Sequence, residues 1–183
     1  MESKIILYHS DEESKCEEFV DEQDALLWSK NSKDDIWLGD GMYFWDNIGN
    51  VKWWKRKQCD KHPDEKYCIV AANAVLNNLL DLTDYDVYTN LDKLWKQMCE
   101  LCNLDPDVEL GGKLNFLFEA LDFSQQYDLV KVYGKYNRTP NKGFFKFDYN
   151  TMRAEPTIGV KCIYNIKNAK CIVEKELVRE EEL

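Results

Sequence analysis

The sequence predicts an α+β fold, and three observations carry the prediction. Helix-spaced apolar stripes fall in the first two thirds of the chain, and strand-like runs gather towards its end. The two do not alternate as a doubly wound parallel sheet would require. At 183 residues, 44% of them hydrophobic and 13% aromatic, the chain has the size of one domain and the material for a core. No repeat, linker or low-complexity stretch divides it. Residues 1–183 therefore read as a single domain, with 174–183 as an acidic, solubilising tail.

Each element has its own warrant. "KIILYHS" (4–10) reads as a short buried strand ending in a histidine, and Cys16, Phe19, Val20, Leu26 and Leu27 predict a helix over 13–29. A polar turn, "NSKDD", leads to "WLGDGMYFWDN" (37–47), two glycines around an aspartate and then a crowd of aromatics. Asp46 or Asn47 is placed to cap the next helix, "IGNVKWWKRKQ", with Ile48, Val51 and Trp54 turned inward. "YCIVAANAV" (67–75) predicts a central strand. Thr89-x-x-Asp92 has the form of a capping box before a helix over 91–102, and a Gly111-Gly112 break precedes a helix over 112–121. Strands follow at 129–134, 143–149, 158–166 and 170–174, with strong turn chemistry at 137–143.

Charge and cysteine usage narrow the function. A formal net charge of −10 argues against binding nucleic acid through the whole surface. One basic island breaks the acidity: Lys52, Lys55, Arg56 and Lys57 interleave with Trp53 and Trp54. It reads either as a solvated helix face or as a phosphate contact beside a pocket. No apolar run approaches the ~20 residues that span a bilayer, and the amino terminus lacks the layout of a secretory signal. The expected location is the cytoplasm, with no membrane partner. Seven cysteines is an odd number, which favours free thiols. The sharpest zinc candidate is Cys59 and His62 with Cys99 and Cys102. Leu91, Leu94, Trp95, Met98, Cys99 and Cys102 fall on one helix side, which favours a core reading and no metal.

The glycine pair poses the main question. A dinucleotide fingerprint needs a third glycine where Phe44 stands, and a P-loop needs a Gly-Lys-Ser/Thr that does not follow. Two readings remain: a turn where backbone passes close to another group, or a wall on which Tyr43 stacks a flat ring.

Taken together, "LYHS…GDGMYFWDN…VKWW" resembles the ADP-ribosyltransferase superfamily, in particular members related to diphtheria toxin and poly(ADP-ribose) polymerases. These begin a strand with Tyr-His-Gly and continue, after a helix, with Gly-x-Gly-hydrophobic-Tyr-Phe and a further helix. The resemblance is specific over residues 5–54 and vaguer over 67–183. It implies two packed, mostly antiparallel sheets with flanking helices, and NAD as substrate. It implies that His9 bonds a ribose hydroxyl, that Tyr43 stacks on nicotinamide and that Gly41 leaves room for the ring, with Phe44 in the same pocket. Ser10 stands where the family has a glycine contacting the carboxamide through backbone. The family's late-strand glutamate aligns with Val160, so Glu155 is the nearest carboxylate, giving His9, Tyr43 and Glu155 as the catalytic set. The implied reaction moves ADP-ribose from NAD to an unidentified macromolecule, protein or nucleic acid, and releases nicotinamide. Hydrolysis of NAD and an inert module that binds NAD, ADP-ribose or a protein are the alternatives. A toxin, a defence effector and a regulator are all compatible with the residues.

Overall fold

The structure, a computed structural model, describes residues 3–29, 37–136 and 159–179. Along the chain run β1 (Lys4–Glu12), α1 (Glu13–Asp21), β2 (Met42–Trp45), α2 (Ile48–Lys61), β3 (Tyr67–Val75), β4 (Leu79–Asp81), α3 (Tyr85–Cys102), α4 (Leu110–Ala120), β5 (Leu129–Lys135), β6 (Val160–Ile166) and β7 (Ile172–Leu177). The α+β class holds. The two packed sheets implied by the resemblance do not: one seven-stranded sheet runs β4-β5-β6-β2-β1-β3-β7. The reason is β2, which pairs antiparallel with β6 on one side and β1 on the other and so joins the halves edge to edge. β4 and β5 form the parallel pair.

Strand alternation sends apolar residues to both faces, because helices cover both. On one face, Leu7, Met42, Phe44, Val70, Ala72 and Ala74 close over Cys16 and Phe19 of α1. On the other, Val130 and Ile163 pack with Leu38, Leu80, Phe123 and with Leu114 and Leu117 of α4. Each fully buried leucine or phenylalanine contributes about 1.5–3 kcal/mol. α2 lies against β1 and β3, with Asn50 and Val51 buried and Trp54 left part-exposed.

Several boundaries differ from the sequence expectation. α1 ends at Asp21, not near 29, because Lys175 of β7 reaches across and donates to the carbonyls of Phe19 (2.8 Å) and Glu22 (2.7 Å). Leu26 and Leu27 still pack on the core, but from an extended segment. α3 begins at Tyr85, where Asp84 accepts from the backbone N–H groups of Asp86 and Val87. Thr89 lies inside that helix and donates to Tyr85 O instead of capping it. α4 carries Gly111 and Gly112 within its first turn. Asn47 caps α2 by accepting from Asn50 N at 3.0 Å. Glu174 to Leu177, expected in an acidic tail, instead belong to β7 and pair with β3. The expected turn at 137–143 and strand at 143–149 lie outside the described residues. Among the described residues, no helix is long and apolar enough to cross a membrane.

Candidate functional site at the seam between the first two strands

β1 runs in register with β3 from Lys4 to Glu12, yet it is registered with β2 only at Tyr8 and Trp45. Beyond that pair the two strands part, and a side chain crosses the gap. His9 Nδ1 lies 2.6 Å from the carbonyl oxygen of Tyr43. A carbonyl can only accept, so Nδ1 carries the hydrogen and Nε2 of the neutral ring is an acceptor. Nε2 is buried and makes no hydrogen bond. Asp11 Oδ2 stands 3.9 Å from it, an ion-pair separation too long for a hydrogen bond. The Ser10 hydroxyl is buried and unpartnered as well. Consecutive strand residues point to opposite faces, so an unused acceptor and an unused hydroxyl flank the seam from its two sides.

Core packing fixes these groups in place. The His9 ring tilts against Phe44 at 5.6 Å between centroids, and Phe44 against Phe19 at 6.2 Å. Phe44 is fully buried, so it backs His9 from the core side. Tyr43 sits half-buried over the other face's cluster. Its hydroxyl donates to Gly39 O at 2.6 Å and accepts from Leu38 N at 3.1 Å, so the phenol is anchored at its tip.

The glycine turn is held by its own chain. Asp40 N donates to Asn115 Oδ1 at 2.9 Å, and Asn115 Nδ2 returns to Asp40 Oδ1 at 3.3 Å. Lys167 Nζ donates to Leu38 O at 2.7 Å and to Asp40 O. Burial pushes the Lys167 ammonium down to about 8, against the pull of Asp40. Gly39 has φ +69° and Gly41 φ +140°. A Cβ on Gly39 would strike Asn115 and Gly111 O, and one on Gly41 would strike Asn165 and Ile166 O. The space that Gly41 leaves open is thus taken by Asn165. This stretch is a tied platform carrying Tyr43, and its carbonyls point at Lys167 and Tyr43.

The seam carries negative charge. Burial raises the Asp11 carboxyl, but a protonated His9 ring, the Glu12 backbone N–H and Lys15 outweigh it and hold the group at about 2, ionised at neutral pH. Lys15 donates to Glu12 at 2.6 Å and to Asp11 at 3.3 Å.

Of the sequence-predicted residues, the structure links His9 to the Tyr43 carbonyl and to the Phe44 ring; Ser10 follows on β1 and faces the other side of the sheet, and Gly41 packs against Asn165. Val160 opens β6 and is exposed, with no carboxylate of its own to offer. Glu155 lies outside the described residues. Among the described residues, no three His, Cys, Asp or Glu side chains are grouped to hold a metal, and the seven cysteines are free. Sequence reading missed Asp11, Asn115, Asn165 and Lys167. Asp11 was within reach of it, since a residue two after His9 on a strand shares its face. The other three carry no local signal.

No family model and no solved structure matches the chain. It is 23% identical over 140 residues to an uncharacterized protein, MJ0359, of Methanocaldococcus jannaschii. That match covers 70% of this chain and 64% of the relative, so the chain spans less than two thirds of the relative's length.

Proposed function

We propose that the protein is an ADP-ribosyltransferase that binds NAD at the seam between β1 and β2 and transfers ADP-ribose to a macromolecular acceptor. The observation that carries the reading is the pair of buried, unpartnered polar atoms, His9 Nε2 and Ser10 Oγ, where the strands part. Buried polar groups are nearly always satisfied, and each orphan costs about 1–3 kcal/mol. A ligand rich in hydroxyl and amide groups would remove that cost. A ribose hydroxyl would donate to His9 Nε2, and a carboxamide would meet Ser10. The anchored ring of Tyr43 would supply the flat wall for nicotinamide.

The chemistry needs more than binding. When the N-glycosidic bond breaks, its electron pair leaves with nicotinamide, and the ribose carbon becomes cationic until the acceptor bonds to it. Holding substrate and transition state equally well does not accelerate this step, so a negative charge must favour the cation. Asp11, ionised and 3.9 Å from His9 Nε2, is one candidate for that charge, and Glu155 is the second.

Incubation with NAD labelled in its ADP-ribose part, together with a cell lysate, tests the reading. Nicotinamide should be released and label should appear on a macromolecule, and both should be lost in His9→Ala. Asp11→Asn or Glu155→Gln should cut turnover by ~10²–10³-fold while NAD affinity stays close to the parent's, whichever of the two carries the charge. Release of nicotinamide with label remaining on free ADP-ribose would make the protein a glycohydrolase. No nicotinamide release with any lysate would refute both enzyme readings.

A further inference from the structure

A second feature adjoins the seam. On the face of the sheet that carries Ser10, a groove of about 340 Å³ opens between α2 and β3, lined by Lys52, Lys55, Arg56, Cys59 and Ile69. The three cations fall on one stripe of α2 because 52, 55, 56 and 59 repeat at helical spacing. The floor of the groove, Ile69, stands directly opposite Ser10 in the β1–β3 register, so the two side chains share a face as cross-strand neighbours. The unpartnered Ser10 hydroxyl therefore lies one residue from a cationic groove with an apolar floor.

We propose that this groove is a phosphate subsite and holds a diphosphate group. The chemistry is specific in kind. Two half-buried lysines and an exposed arginine on one stripe of a helix offer charge-assisted donors suited to an anion with more than one charged oxygen. The diphosphate can come from the dinucleotide of the proposed reaction or from a separate anion. The first source rests on the NAD reading, and the groove itself does not.

Binding of three probes by calorimetry separates these cases: inorganic pyrophosphate, ADP-ribose and NAD. The variants are Lys52→Gln, Arg56→Gln and the charge-reversed Arg56→Glu, at one half-buried and one exposed position of α2, with thermal melting to show that the fold is kept. Pyrophosphate should bind the parent, and each Gln variant should weaken it by roughly tenfold, a charge-assisted hydrogen bond being worth on the order of 1.4 kcal/mol. ADP-ribose and NAD should weaken in parallel if the dinucleotide fills the groove. If pyrophosphate responds to the variants but NAD fails to bind the parent, the subsite stands and the NAD reading falls. If NAD binds and none of the variants alters NAD or pyrophosphate affinity, the subsite falls and the NAD reading stands. Absence of pyrophosphate binding to the parent would also overturn the subsite.

Discussion

At the residue scale, the glycine turn shows how much of this site is support. Gly39 and Gly41 adopt backbone conformations that cost other residues about 1–3 kcal/mol, before any clash is counted. Gly41→Ala adds a methyl against Asn165 and the Ile166 carbonyl, so its melting temperature should fall by several degrees. Gly49→Ala is the control. Gly49 lies in the first turn of α2, where a Cβ meets nothing tighter than 3.5 Å, so this change should be neutral or stabilise by up to about 1 kcal/mol. Equal melting of the two variants would show that the turn is not the constraint described. Asp11 makes a prediction about pH. Its carboxyl is held at about 2, below the ordinary 3.8, so the folded state binds its proton more weakly than the unfolded one. That contribution is complete above about pH 4 and fades as pH falls from about 4 to 2. Urea midpoints measured at pH 6, 4 and 3 should drop more steeply for the parent than for Asp11→Asn. Parallel slopes would remove Asp11 from the account of the seam's charge.

At the scale of elements, what the sequence made legible and what it did not divide along a physical line. Two local signals were read correctly. The apolar run of β3 gives both its ends, and Asn47 caps α2 because its side chain needs only the N–H three residues on. Asn47→Ala should therefore cost about 1 kcal/mol, measurable as a shifted urea midpoint without loss of the fold. The longest error has a distant cause. α1 stops at Asp21 because of a lysine 154 positions later (175 − 21), and no pattern within 13–29 contains it. Thr89 has the form of a cap, but Asp84 takes that place one turn earlier and Thr89 bonds back into the helix. The candidate site divides in the same way. His9 and Tyr43 are visible as a spaced motif, and their meeting through Nδ1 and a backbone carbonyl follows from strand pairing. Asn115 of α4, and Asn165 and Lys167 at the end of β6, reach the turn from far along the chain, which only the assembled fold brings together.

At the scale of the whole molecule, the sheet is continuous but unevenly joined, and its weakest joint is where the ligand is proposed to sit. β3 and β1 are zipped along their length, as are β5 and β6, whereas β1 meets β2 at a single registered pair. Backbone groups without a ladder partner open more readily, so amide exchange should be slow across β1–β3 and β5–β6 and faster along the parted stretch of β1 and β2. If NAD occupies the seam, it stabilises the folded state by mass action, by about 2.7 kcal/mol at a hundredfold excess over its dissociation constant. Global stabilisation alone would follow from binding anywhere. The distinguishing result is local: protection should rise most from His9 to Glu12 and from Met42 to Trp45, on either side of the joint. Nicotinamide alone should protect the same two segments more weakly, and inorganic pyrophosphate should instead protect α2 around Lys52 to Arg56. Protection spread evenly over the sheet, or confined to the edge strands β4 and β7, would place the ligand elsewhere and remove the seam as the functional site.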